Sequence, residues 1–262
     1  MKCIEVQAQN LLILEAARGG IGLQIQSSVH IEKERLADWN MCKKLCSVLS
    51  MISADSRLAT RLTSIAALEE LGRVRLSRSF FMRDFLYSEI ANFYGIPNIP
   101  ENPNLAIEVG TRLCDELLEP LNATFGRIAI RSAYRSPTVN ALGNEKGHNC
   151  ASNEKNYAGH IWDHPDAEGG RGATACVVIP WFADRYAHTK DWRPLAYWIH
   201  DHLPYSRLQF FPKLAAFNIN WHDRPKRSIF GFADPKGYLL RGGEPDDRFK
   251  DQYRDFPEFR RG

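Results

Sequence analysis

The chain has 262 residues, 44% of them hydrophobic, enough for one sizeable core or one core and a smaller unit. Its 34 basic and 31 acidic side chains leave a net charge of +3, a near balance that gives no basis for a nucleic-acid partner. No apolar run reaches the length of a membrane span, and residues 11–14 are cut short by Glu15, so neither a span nor a secretory signal is visible and the default location is the cytoplasm.

Residues 1–75 are rich in Leu, Ala, Ser and Arg and poor in aromatics. They read either as a small helical leader or partner-binding arm, or as an extension upstream of a domain that begins near Val74 or Met82. Within them, Leu58, Leu62, Ile65 and Leu68 recur at helical spacing and predict a helix over residues 56–71. The six cysteines (Cys3, Cys42, Cys46, Cys114, Cys150 and Cys176) are scattered in a chain too long to need disulfide staples. Cys42 and Cys46 lie four apart on a predicted helix but lack a second pair at zinc-finger spacing, and read as ordinary thiols.

Aromatics crowd residues 80–94, and a stiff proline-rich loop follows to Pro103. Asn102 and Pro103 are a cap and first residue for a helix whose Leu105, Val109, Leu113, Leu117 and Leu121 recur every four residues, with Gly126 as its stop. Residues 127–133 read as a short strand, and residues 134–137 turn the chain. A long polar segment, 140–172, carries little periodicity; a loop of that length inside a compact domain is functional or disordered. Strands are predicted over residues 173–180, 206–211 and 214–222, and a helix over 191–202. In the last strand Ala215, Phe217, Ile219 and Trp221 share one face, while Asn218, Asn220 and His222 share the other. A polar face ending in His belongs over a cleft. Residues 235–262 mix Arg with Asp and Glu and read as a solvated polar tail. The fold expected is α+β: a small, mainly antiparallel sheet with helices on one side, in a domain covering residues 76–234.

Four segments in order carry a resemblance: Leu117-Leu-Glu-Pro-Leu121; Ile128-Ala-Ile-Arg-Ser-Ala-Tyr-Arg-Ser-Pro-Thr-Val-Asn140; a His-containing loop into Gly172-Ala-Thr-Ala-Cys-Val-Val-Ile-Pro180; and Asn220-Trp-His222. Over residues 80–231 this series resembles metallopeptidase family fifteen, the zinc D-alanyl-D-alanine carboxypeptidases and dipeptidases, which share their fold with hedgehog signalling domains. The resemblance implies a zinc-activated water and a peptide substrate such as the peptidoglycan stem. It assigns Arg135 to grip substrate or stabilise the developing oxyanion. It assigns His160 and His222 to zinc, and puts Tyr134, Ser136, Asn218 and Asn220 at the substrate.

The chain departs from the family at two points. Cys176 stands where the family has its metal aspartate, with Thr174 in place of the preceding alanine. A thiolate is a competent zinc ligand, so the third donor is either Cys176 or Asp163 from the long loop. The family's general-base Glu, three residues before the last His, is replaced by Ile219, and no Glu occurs between Glu168 and Glu244. A base would come from Asp163, Asp223 or the His200-Asp201-His202 group. The lost Glu opens a second reading: a binding or structural module that keeps the scaffold without the chemistry. No G-x-S-x-G serine motif occurs, and Gly169-Gly-Arg-Gly172 lacks the flanks of a phosphate loop.

Overall fold

The computed structural model describes residues 64–245 and 248–262. Most of the leader, with Cys42 and Cys46, lies outside the described residues. The described part of the helix expected at 56–71 is α1 (Ile65–Arg73), where Ser64 Oγ accepts the Ala67 amide at 3.2 Å. A short α2 (Glu89–Tyr94) starts in the same way behind Ser88. Then α3 (Pro103–Leu113) begins as its chemistry dictates: Asn102 Oδ1 accepts the Leu105 amide at 3.2 Å, and Pro103 occupies the position whose N–H has no partner.

The Leu-Glu-Pro-Leu segment is where α3 is interrupted. Pro120 has no N–H to donate into the preceding turn, and a π-turn over Cys114–Leu118 comes just before α4 (Glu119–Phe125). Glu119 is buried, and its carboxylate accepts from Ser77 Oγ at 2.7 Å and Ser79 Oγ at 2.9 Å. The glutamate of this motif is therefore an anchor for the chain at residues 77–79. Further on, α5 (Pro137–Glu145) and α6 (Asn153–Asn156) give helical structure to part of the segment that the sequence presents as unpatterned. Two more helices, α7 (Pro180–Thr189) and α8 (Arg193–His202), follow the second strand.

The strands are β1 (Ala129–Ser132), β2 (Gly172–Val178), β3 (Arg207–Phe210), β4 (Phe217–His222), β5 (Ser228–Gly231) and β6 (Gly237–Arg241), in the spatial order β1-β2-β4-β3-β5-β6. All neighbours pair antiparallel except β3 and β5, so the sheet is mixed within an α+β domain. One face is saturated with carbon. Ala173, Ala175 and Val177 of β2, Phe217 and Ile219 of β4, Leu208 and Phe210 of β3 and Ile229 of β5 are essentially inaccessible and join one core with the helices. Truncating Ile219 to Ala in this setting costs about 2–5 kcal/mol. The segment read as a solvated tail also contributes. It supplies β6, buries Tyr253 and packs Phe256 and Phe259 on the core, with the Phe256 and Trp181 rings 5.1 Å apart. No described helix is long and apolar enough to cross a membrane.

Candidate functional site

The opposite face of the sheet is polar and divides in two. Register places Ser132, Cys176, Asn218, Gln209, Phe230 and Tyr238 side by side across all six strands. Each of these is half-buried or exposed, so the row is an open stripe. The next row begins Thr174, Asn220, and the end of β4 adds His222 beside Gly172. These four residues are buried, enclosed by the loop of residues 156–170. Asn220 Nδ2 donates to Ala158 O and Ala173 O at 3.1 Å and to Thr174 Oγ1 at 3.0 Å, which ties β4 to β2 and to that loop.

At the β1 end of the stripe lies a cleft of about 310 Å³, walled by Glu89, Ser132, Arg135, His148 and Cys150. Arg135 Nη1 donates to Asn140 Oδ1 at 3.2 Å and to Cys150 Sγ at 2.8 Å. Among the described residues no carboxylate lies within ion-pair distance of Arg135. Asn140 is the hub of this wall. Its Oδ1 also accepts from Asn156 Nδ2 at 2.6 Å, while its own Nδ2 donates to Ala151 O and Asn153 Oδ1. Fixing the guanidinium through an amide oxygen and a sulfur, with no carboxylate partner, suits it to an incoming anion.

His160 and Cys176 sit beside this cleft. The His160 Nδ1–H donates to Ala133 O at 2.7 Å, and Asn218 is a further hydrogen-bonding neighbour of the ring. Burial, then the Arg135 charge, lower its pKa to about 3, so the imidazole is neutral at ordinary pH. Cys176 is opposite Asn218 in register. Burial raises its thiol to about 11, against the opposing pull of Arg131 and Arg135, so it is a protonated S–H at neutral pH.

The remaining residues assigned from the sequence are committed elsewhere. His222 Nδ1 accepts the Arg224 amide at 2.9 Å, so its proton is on Nε2, which contacts Asp166 Oδ2 at 3.1 Å. Both nitrogens are in use. A Cβ on Gly170 would come within 2.5 Å of the ring, which shows how closely the 166–170 turn wraps it. Burial works to raise the Asp166 carboxyl, but the Gly170 and Glu168 amides and His222 together hold it below the usual range. His222 also lies four residues along β4 from Asn218, about 13 Å of strand rise from the His160 neighbourhood.

Asp163 does not line the cleft, and its Oδ1 is buried without a hydrogen-bond partner. Its Oδ2 accepts the Glu101 amide at 2.7 Å, the Asn102 amide at 3.2 Å and the Tyr134 hydroxyl at 3.2 Å, clasping the proline-rich loop at the start of α3. Burial pushes its carboxyl above the usual range despite those amides. Tyr134 is fully buried on it. Ser136 Oγ caps α5 by accepting the Val139 amide at 3.3 Å. Of the four residues placed at the substrate, only Asn218 lies on the open stripe. The other bases considered are also spoken for: Asp223 accepts the Arg171 amide, His200 pairs with Tyr205 OH, and His202 with Trp198 O.

The donors of the expected zinc site do not converge as placed. Among the described residues no group of three or more His, Cys, Asp or Glu side chains is positioned to hold a metal ion. His160 and Cys176 share a neighbourhood; His222 and Asp163 do not join them. Sequence reasoning missed Glu89 in the cleft and Phe230 and Tyr238 on the stripe. The period-two run Phe230-Gly-Phe232 was the available signal. Compared with known proteins, the chain matches no family model, no curated protein and no solved structure.

Proposed function

We propose that this domain binds the carboxylate end of a short peptide, as a non-hydrolytic module on a scaffold resembling the D-alanyl-D-alanine peptidases. The observation that carries this reading is Arg135, a positioned guanidinium without a carboxylate partner on the wall of an open cleft. A peptide carboxylate would take the place of the missing partner through charge-assisted hydrogen bonds. Glu89 on the same cleft offers an acceptor for an ammonium group, so a zwitterionic peptide, such as a stem-peptide terminus, matches both charges. Asn218 and Gln209, joined by a 3.1 Å hydrogen bond, continue the polar floor along the stripe.

The zinc-peptidase reading keeps one supporting observation: His160 and Cys176 both border Asn218. It requires His222 to leave Asp166 and the 166–170 turn to open. Titration calorimetry separates the two. An acylated Lys-D-Ala-D-Ala tripeptide with a free carboxylate is expected to bind, and its C-terminal amide to bind about tenfold or more weakly. Equal affinity for acid and amide would overturn the carboxylate assignment.

A further inference from the structure

The net charge of +3 conceals an uneven distribution. Residues 207–241 contain seven Lys and Arg against only Asp223 and Asp234. The same segment builds the β3–β5–β6 end of the open stripe, where four aromatic rings come together. Phe211 and Phe232 stack with centroids 5.4 Å apart and planes 3° from parallel; Phe230 meets Phe232 at 4.9 Å and Tyr238 at 5.0 Å. Phe232 is 45% and Tyr238 52% exposed. Leu208, Phe210 and Ile229 take the core side of these strands, which leaves the rings on the solvent side.

Cations frame the rings. The Arg241 guanidinium lies 3.7 Å from the Tyr238 ring centroid. Because β3 and β5 run parallel, the turns that follow them lie at one end of the sheet, and these turns carry exposed Lys213 and Lys236, two and four residues after Phe211 and Phe232. Arg207 lies on the same polar face in the Asn220 row, half-buried, with its Nε without a hydrogen-bond partner. None of these cations has an ion-pair partner among the described residues.

We propose that this end of the sheet is a stacking platform for single-stranded nucleic acid. Unpaired bases offer planar faces to the exposed rings, and phosphates offer the charge that Arg207, Lys213, Lys236 and Arg241 lack. An open sheet face carrying aromatics among hydrogen-bonding side chains such as Gln209 and Asn218 suits splayed bases. A bilayer would favour protruding apolar groups instead, and a neutral glycan would leave the cations unanswered. The unpaired state matters, since stacked bases inside a duplex present no free faces.

The test is fluorescence anisotropy of the full chain with labelled twelve-residue oligo-deoxythymidine and oligo-uridine, the matched duplex, and anionic phosphatidylserine vesicles as a competitor. The expected result is preference for single strands, affinity that falls as salt rises, and at least a fivefold loss in Tyr238→Ala and Phe232→Ala. Tyr238→Phe keeps the ring and should retain binding, and circular dichroism confirms that the variants are folded. Three results would overturn the proposal. They are no single-strand binding at low salt, duplex binding as tight as single-strand binding with Tyr238→Ala unaffected, or displacement of the oligonucleotide by vesicles at sub-stoichiometric accessible lipid.

Discussion

Asn218 and Asn220 are the same residue type, two positions apart on one strand and on the same face of the sheet, yet they do different work. Asn220 is 3% exposed, and the two N–H groups of its Nδ2 are shared among three acceptors on β2 and the 156–170 loop. Asn218 is half-buried on the open stripe and contacts Gln209 and the His160 neighbourhood. The covered half of the polar face, Asn220 and His222, is structural glue. The open half, from the Arg135 cleft to Tyr238, is free to meet a ligand. Polar alternation identifies a face that avoids the core; what covers that face decides whether it is a site.

The largest effect should come from the covered half. Asn220→Ala removes the shared donor from two carbonyls and a hydroxyl in a dry environment, and should cost about 3 kcal/mol of stability in urea unfolding. Asn218→Ala should cost under about 1 kcal/mol by the same measurement. Similar losses for the two would erase the distinction between the halves.

The second effect is on pH dependence. His160 has a folded pKa lowered to about 3, so below the unfolded value of about 6.5 the unfolded chain binds a proton that the native ring refuses. Stability supplied by the neutral ring is complete above about pH 6.5 and is lost as pH falls towards 3, by up to about 1.4 kcal/mol per pH unit. His160→Gln should flatten this slope in unfolding measured between pH 7 and 4.5. An unchanged slope would mean that the ring is not held neutral.

Arg135→Ala should weaken peptide-carboxylate binding about tenfold, about 1.4 kcal/mol, while the thermal midpoint stays within a few degrees, because its side chain makes no ion pair among the described residues. The smallest effect is Cys176→Ser. With the thiol protonated and half-buried, exchanging S–H for O–H should change stability by about 1 kcal/mol or less and leave peptide binding intact. A large loss of bound metal in that variant would instead make Cys176 a ligand.

Much of the scaffold was legible in the sequence. Asn102-Pro103 announced α3, and the alternation of Phe217, Ile219 and Trp221 with Asn218, Asn220 and His222 fixed which side of β4 meets the core. Other parts depended on information that a local pattern does not carry. Ser136-Pro137 is a cap followed by a first-turn proline, yet the helix it starts is short and polar, with no apolar stripe to announce it. β5 has four residues and ends in Gly231, and β6 holds its two leucines next to each other, so neither shows a clean period of two over a useful length. The ligand assignment failed to converge for a related reason. His222 and Asp163 carry the right atoms, but the Asp166–Gly170 turn and the Glu101–Asn102 amides reach those atoms through contacts more than fifty residues away. The basic end of the sheet was hidden because acidic residues elsewhere balance it in the total charge.

Incubating the full chain with the acylated Lys-D-Ala-D-Ala tripeptide, with and without added zinc, and measuring both bound peptide and released D-alanine separates carboxylate binding from hydrolysis. Binding that depends on Arg135, with no D-alanine released under either condition, is the expected result. Zinc-dependent release of D-alanine that disappears in both His160→Ala and His222→Ala would contradict it, and would show that the covered half of the face opens to form a catalytic site.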